Sequence, residues 1–162
     1  MKTIASVITF AAILSGAPMR MQAQTPTHVI QALSEAQWGP APPFIPPGAQ
    51  MAVLSGDPMK SVAYTLRLKF PAGYTIAPHS HPTDENVVVV SGNLTFGMGA
   101  KLAKGAASNK ALAPGGYALM PAEMNHFAYA TGETTIVLYG IGPVEFKYVN
   151  SADDPRTPKT RD

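Results

Sequence analysis

Four histidines occur among the 162 residues, and two of them, His79 and His81, stand one residue apart in the stretch GYTIAPHSHPTDENVVVVSG, residues 73–92. Glu85 follows four residues after His81. Side chains two residues apart on a strand project from one face, with Cα atoms roughly 7 Å apart, so both imidazoles can converge on one ion. Pro78 and Pro82 flank the pair and stiffen its backbone, which lowers the entropy lost on binding. A turn at Thr83-Asp84 lets the chain double back and offer the Glu85 carboxylate to the same point. His126, on a later segment, is the natural further ligand, whereas His28 has no partner at comparable spacing and reads as a surface or arm residue.

Three neutral nitrogens with one carboxylate suit a divalent transition metal (Zn, Cu, Ni, Fe or Mn) and suit Ca or Mg poorly. For a chain that folds after export, the intrinsic affinity order favours Cu and Zn. Imidazole must be deprotonated to bind, so metal affinity is expected to decline as pH drops through about 6.5.

The elements that position these groups are strands. The 16 prolines and 14 glycines punctuate short apolar runs, the pattern of an all-β sandwich or barrel. Strands are expected at 49–54, at 61–70, where Tyr64, Leu66, Leu68 and Phe70 alternate with polar residues, and at 86–91, where NVVVVS reads as buried on both faces. Further strands follow in LTFGMG, YALMP, HFAYA and TTIVLYGIG, and a last one carries Val144, Phe146 and Tyr148. Residues 40–47, PAPPFIPP, exclude helix and central strand and read as an extended arm over the domain. The one helical turn expected lies around 33–38.

The ends of the chain differ in character. MKTIASVITFAAILSGAPMRMQAQ has Lys2, an apolar run over 4–17 and then small and polar residues, the layout of a secretory signal peptide with cleavage after Ala23. That run falls short of the about 20 residues a bilayer span needs. A periplasmic or secreted protein with no stable membrane association after cleavage is expected, and 162 − 23 = 139 residues suit one domain. The polar tail 151–162 is expected to be disordered. With no cysteine, disulfides and thiolate ligands are excluded. Net charge is +2, from 12 basic and 10 acidic residues spread along the chain. No concentrated basic face for nucleic acid results, and Lys101, Lys104 and Lys110 read as a solvated loop.

The same residues resemble the cupin superfamily. Gly73, His79, His81, Glu85 and Gly92 match every fixed position of its first motif, and Gly115, Pro121 and His126 fit its second. Glu123 stands where Gly is usual, and Ala130 where Asn is usual; a Glu resists the positive φ that Gly accepts. The resemblance implies an all-β double-stranded β-helix, a jelly-roll barrel over 49–150 preceded by a Pro-rich arm at 24–48. It also implies one metal held by His79, His81, Glu85 and His126. With four protein ligands on an octahedral ion, two positions stay open.

Ala128 and Ala130 leave room beside His126, and Val87, Val89 and Phe96 or Met98 make the surroundings apolar. A metal-dependent dioxygenase-like enzyme acting on a small organic substrate fits this arrangement, with Glu85 as base and Tyr64, Tyr117 or Glu123 as nearby donors. Two alternatives stand beside it: a non-catalytic metal-dependent ligand-binding or sensor cupin, and an O₂-independent isomerase or lyase. Cupins commonly dimerise by exchange of strands or arms, so a homodimer through 40–47 and an arm packed on its own domain are both expected outcomes.

Overall fold

The computed structural model describes residues 28–158; the signal segment expected at 1–23 lies outside the described residues. Strands run in the order β1 (Gly39–Pro40), β2 (Gln50–Ser55), β3 (Ala63–Phe70), β4 (Thr75–Ser80), β5 (Glu85–Ser91), β6 (Leu94–Met98), β7 (Lys110–Leu112), β8 (Tyr117–Met120), β9 (His126–Ala130), β10 (Thr134–Ile141) and β11 (Lys147–Tyr148). They form two antiparallel sheets, β1-β2-β3-β10-β5-β8 and β11-β4-β9-β6-β7. From β3 to β6, and again from β8 to β11, each strand lies in the opposite sheet from its predecessor. This hand-over sews the sheets face to face into a jelly roll.

Alternation drives the packing. On β3, Tyr64, Leu66, Leu68 and Phe70 are buried while the residues between them are not. Leu66, Leu68, Val87, Ile136 and Leu138 of the larger sheet meet Ile76, Leu94, Phe96 and Ala128 of the smaller one in a single core. Full burial of each such aliphatic side chain contributes about 1.5–3 kcal/mol. The β5–β6 turn is tight enough to require glycine. Gly92 has φ 75°, and a Cβ there would lie 2.2 Å from the Glu133 carbonyl oxygen.

Several expectations need correction. NVVVVS is buried on one face only: Val87 and Val89 point inward, Val88 is half-buried and Val90 is exposed. The helical turn is a single 3-10 turn at Leu33–Glu35. The arm supplies the edge strand β1 against β2, and its Phe44 and Ile45 are buried in the core. Tyr74 and Tyr148 hold it in place by donating to the carbonyls of Pro46 and Phe44. Within this single chain the arm packs on its own domain. The last strand is shorter than expected, β11 alone, because residues 143–146 form an irregular strap. The tail is ordered through 158: a 3-10 turn at Ser151–Asp153 precedes an Asp154–Arg156 ion pair at 2.7 Å. Among the described residues no helix is long and apolar enough to cross a membrane.

Candidate metal centre

His79 is the penultimate residue of β4, His81 follows the end of that strand, Glu85 opens β5 and His126 opens β9. The β4–β9 register pairs Ile76 with Ala128 and His79 with His126, so three steps on β4 match two on β9. This is a bulge, and it contains Pro78, which has no N–H to lend to the ladder. Its effect is decisive. In a regular strand Ile76 facing the core would turn His79 outward, because successive side chains alternate. The extra residue resets the phase, and Ile76 and His79 both face the interior.

The ligand nitrogens of His79, His81 and His126 all lie within 4.8 Å of one another, and all three residues are buried. Glu85 completes the group, with Oε1 3.5 Å from His81 Nε2 and Oε2 3.6 Å from His126 Nε2. Each Nδ1 faces a backbone carbonyl: Ala77 at 2.7 Å for His79, Glu145 at 2.6 Å for His81, and Met124 at 3.0 Å for His126. A carbonyl only accepts, so each Nδ1 carries a hydrogen and each Nε2 is the ring nitrogen left to face the common point.

His81 Nε2 is buried without a hydrogen-bond partner among the described residues. Such an orphan is costly unless something occupies the point it faces. The donor set and this orphaned buried nitrogen fit a divalent transition metal.

The electrostatics agree. Burial, then the imidazoles of His126 and His81, push His79 down to about 3, so the ring is neutral and able to ligate. Burial by itself would raise the Glu85 carboxyl, but the imidazoles of His81, His126 and His79 outweigh it and hold it at about 2. Phe146 seals the site: its ring stacks on His79 at 4.5 Å and 9°, and meets His81 edge-on at 4.6 Å. The adjoining cavity, lined by His79, Glu85, His126, Phe96, Leu138 and Phe146, measures about 20 Å³. That is room for about one water molecule.

The other expected site residues lie elsewhere. Tyr117 is on the outer face of β8, half exposed, and its hydroxyl donates to Asn86 Oδ1 at 2.7 Å. Glu123 points to solvent and pairs with Lys147 at 2.7 Å. It takes φ 61°, so the turn before His126 keeps the left-handed conformation even without glycine. Tyr64 is buried in the core, its phenol raised by burial and then by the Glu85 charge. No hydrogen bond joins it to Glu85 among the described residues. Ala128 and Ala130 are buried as expected, whereas Met98 faces out and Phe96 faces in. His28 is exposed. Sequence reasoning missed the Glu145 carbonyl behind His81 and the covering role of Phe146.

Comparison with known proteins places this geometry in context. Residues 26–145 match the family described as the ChrR cupin-like domain. No curated protein matches the sequence. Among solved structures, a putative acetylacetone dioxygenase from Methylibium petroleiphilum is 18% identical with a TM-score of 0.62, over 85% of this chain and 91% of that one. An acetylacetone dioxygenase from Acinetobacter johnsonii is 17% identical with a TM-score of 0.58, over 79% and 82%. KdgF from Halomonas sp. is 21% identical with a TM-score of 0.54, over 73% and 96%. At these identities the likeness establishes the shared fold.

Proposed function

The chain belongs to the ChrR cupin-like domain family, and from that premise we propose that it is a metal-dependent oxidoreductase of the dioxygenase type acting on a small organic substrate. One observation carries the reading: three imidazoles, each with Nδ1 tied to a backbone carbonyl, and one carboxylate converge beside a small, largely apolar cavity. An acetylacetone dioxygenase and a protein described as a putative one, both with the same fold, support it. A divalent transition metal held by His79, His81, Glu85 and His126 would supply Lewis-acid polarisation to an enolisable substrate.

The chain's own residues do the rest. The Nδ1–H bonds to Ala77, Glu145 and Met124 lock each ring in the ligating tautomer. Phe146 and Phe96 line the cavity with apolar surface and limit it to about 20 Å³, and such restricted access of solvent strengthens the electrostatic contacts beside it. Glu85 is assigned to holding charge and not to moving a proton, since a carboxyl held at about 2 is a weak base at neutral pH.

A second reading, a non-catalytic metal-dependent binding or sensor module, is favoured by the size of the cavity. At about 20 Å³ it takes one water-sized guest, less than the volume of an organic substrate. Oxygen uptake by protein loaded in turn with Fe, Mn, Cu, Ni or Zn, against β-diketones, catechols and flavonols, separates the readings. Substrate-dependent O₂ consumption supports the first. Metal-dependent stabilisation with no turnover by any pair supports the second, and turnover without O₂ points to an isomerase or lyase. The proposal extends to location: the layout of residues 1–23 suits export, and N-terminal sequencing of the native protein should begin at Gln24.

A further inference from the structure

His81 is oriented from the far end of the chain. His79 and His126 lean on carbonyls two residues before themselves, so their own strands aim them. The carbonyl behind His81 belongs to Glu145, 64 positions away, in the strap 143–146 that has no strand pairing of its own. What holds that strap therefore holds His81. At its start Val144 N–H donates to the Pro58 carbonyl at 2.7 Å. At its end Lys147 and Tyr148 pair with Ser80 and His79. Between them, the Phe146 carbonyl accepts from Arg156 Nη2 at 3.0 Å. Asp154 grips the same guanidinium, at 2.8 Å from Nε and 2.7 Å from Nη2.

We propose that Arg156 is a positioning residue of the metal centre: its guanidinium, preset by Asp154, fixes Phe146, and through Phe146 the adjoining Glu145 carbonyl that aims His81 Nε2 at the common point. The inference rests on reading the four buried side chains as metal ligands. It concerns a part of the chain past residue 145, where the family match ends. The Arg156 and Asp154 side chains are 44% and 19% exposed. An ion pair so placed adds little to global stability, which leaves its grip on the strap as its effect. Through that grip it acts on a metal ligand's hydrogen-bond partner, the kind of contact whose loss typically weakens metal binding about 10–100-fold.

The test compares wild type with Arg156→Met, which keeps the aliphatic stem and removes the donors, and with Arg156→Lys. The probe is Co(II) alone, its affinity read by competition with a chelator and its geometry by the visible spectrum. Arg156→Met is expected to bind Co(II) about 10-fold more weakly, with a changed spectrum. In the metal-free protein the His81 Nδ1 proton should exchange with solvent faster by NMR, while the thermal midpoint stays close to that of wild type. Arg156→Lys, with one donor at similar reach, should recover part of the affinity. Wild-type affinity, spectrum and proton protection in Arg156→Met overturn the proposal, as does an affinity loss matched by general destabilisation of the metal-free protein. A wild type that binds no Co(II) defeats the metal reading itself, a result distinct from an insensitive Arg156→Met.

Discussion

Replacing Glu85 with glutamine should separate the two things this carboxylate does. At neutral pH it is ionised and 8% exposed, against imidazoles of which His79 is neutral. Its carboxyl is held at about 2, below the ordinary 4.5, so the folded state favours the ionised form over a neutral one, and Gln keeps the shape while removing that charge. The metal-free Glu85→Gln protein should therefore be less stable than wild type. Metal binding should fall as well, because Glu85 is the one anionic donor, 3.5 and 3.6 Å from two of the ligating nitrogens. Loss of a hydrogen-bond partner behind a ligand costs about 10–100-fold in affinity, so loss of a ligand should reach at least about 100-fold.

The thermal consequence follows by mass action. With Zn at about 1,000 times the wild-type Kd, stabilisation is about 4.1 kcal/mol, and a 100-fold weaker site retains about 1.4 kcal/mol. For a domain of this size about 4 °C accompanies each kcal/mol, so the Zn-induced rise should shrink from about 16 °C to about 6 °C. Differential scanning calorimetry with and without Zn measures both quantities. A Zn-induced rise in Glu85→Gln equal to that of wild type would falsify the assignment of Glu85 as a ligand, and a metal-free mutant as stable as wild type would contradict its stabilising charge.

Three other outcomes are expected. The folded-state pKa of His79 is depressed from 6.5 to about 3 and that of Glu85 from 4.5 to about 2, so in each window the unfolded chain binds the extra proton. Stability of the metal-free protein should hold above about pH 6.5 and fall steadily below it; urea midpoints at neutral and acid pH check this, and a flat profile contradicts it. At Gly97 a Cβ would lie 2.1 Å from Cζ of Phe127, a ring only 1% exposed and unable to retreat. Gly97→Ala should cost about 1–3 kcal/mol by chemical denaturation. Glu123→Gly should change stability by less than about 1 kcal/mol, because relief of the left-handed backbone offsets the lost Lys147 pair and the added freedom of the unfolded chain. A large loss in its urea midpoint would show that the Lys147 contact matters more than the backbone.

Much of the site was legible in the order of residues. The motif spacings singled out His79, His81, Glu85 and His126, and the structure brings all four together. Alternation on β3 and the limits of β9 were read from the pattern, since hydrophobic period reports which face is buried wherever one face is. Reading failed where that rule has no purchase. Tyr117 and Glu123 looked like donors by type and nearness in sequence, but their faces point outward. The tail looked disordered because it is polar, yet residues 151–158 are ordered, with Arg156 donating to the Phe146 carbonyl.

Taken by itself, the chain of residues determined which chemistry was on offer: nitrogen and carboxylate donors, no thiol, short strands and sharp glycine turns. Folding in three dimensions decided where that chemistry points. The bulge around Pro78 turns His79 inward, and the strap carbonyl of Glu145 aims His81. Neither is written in side-chain types, because every residue carries a carbonyl and a strand shifts its phase only in response to the partner it packs against.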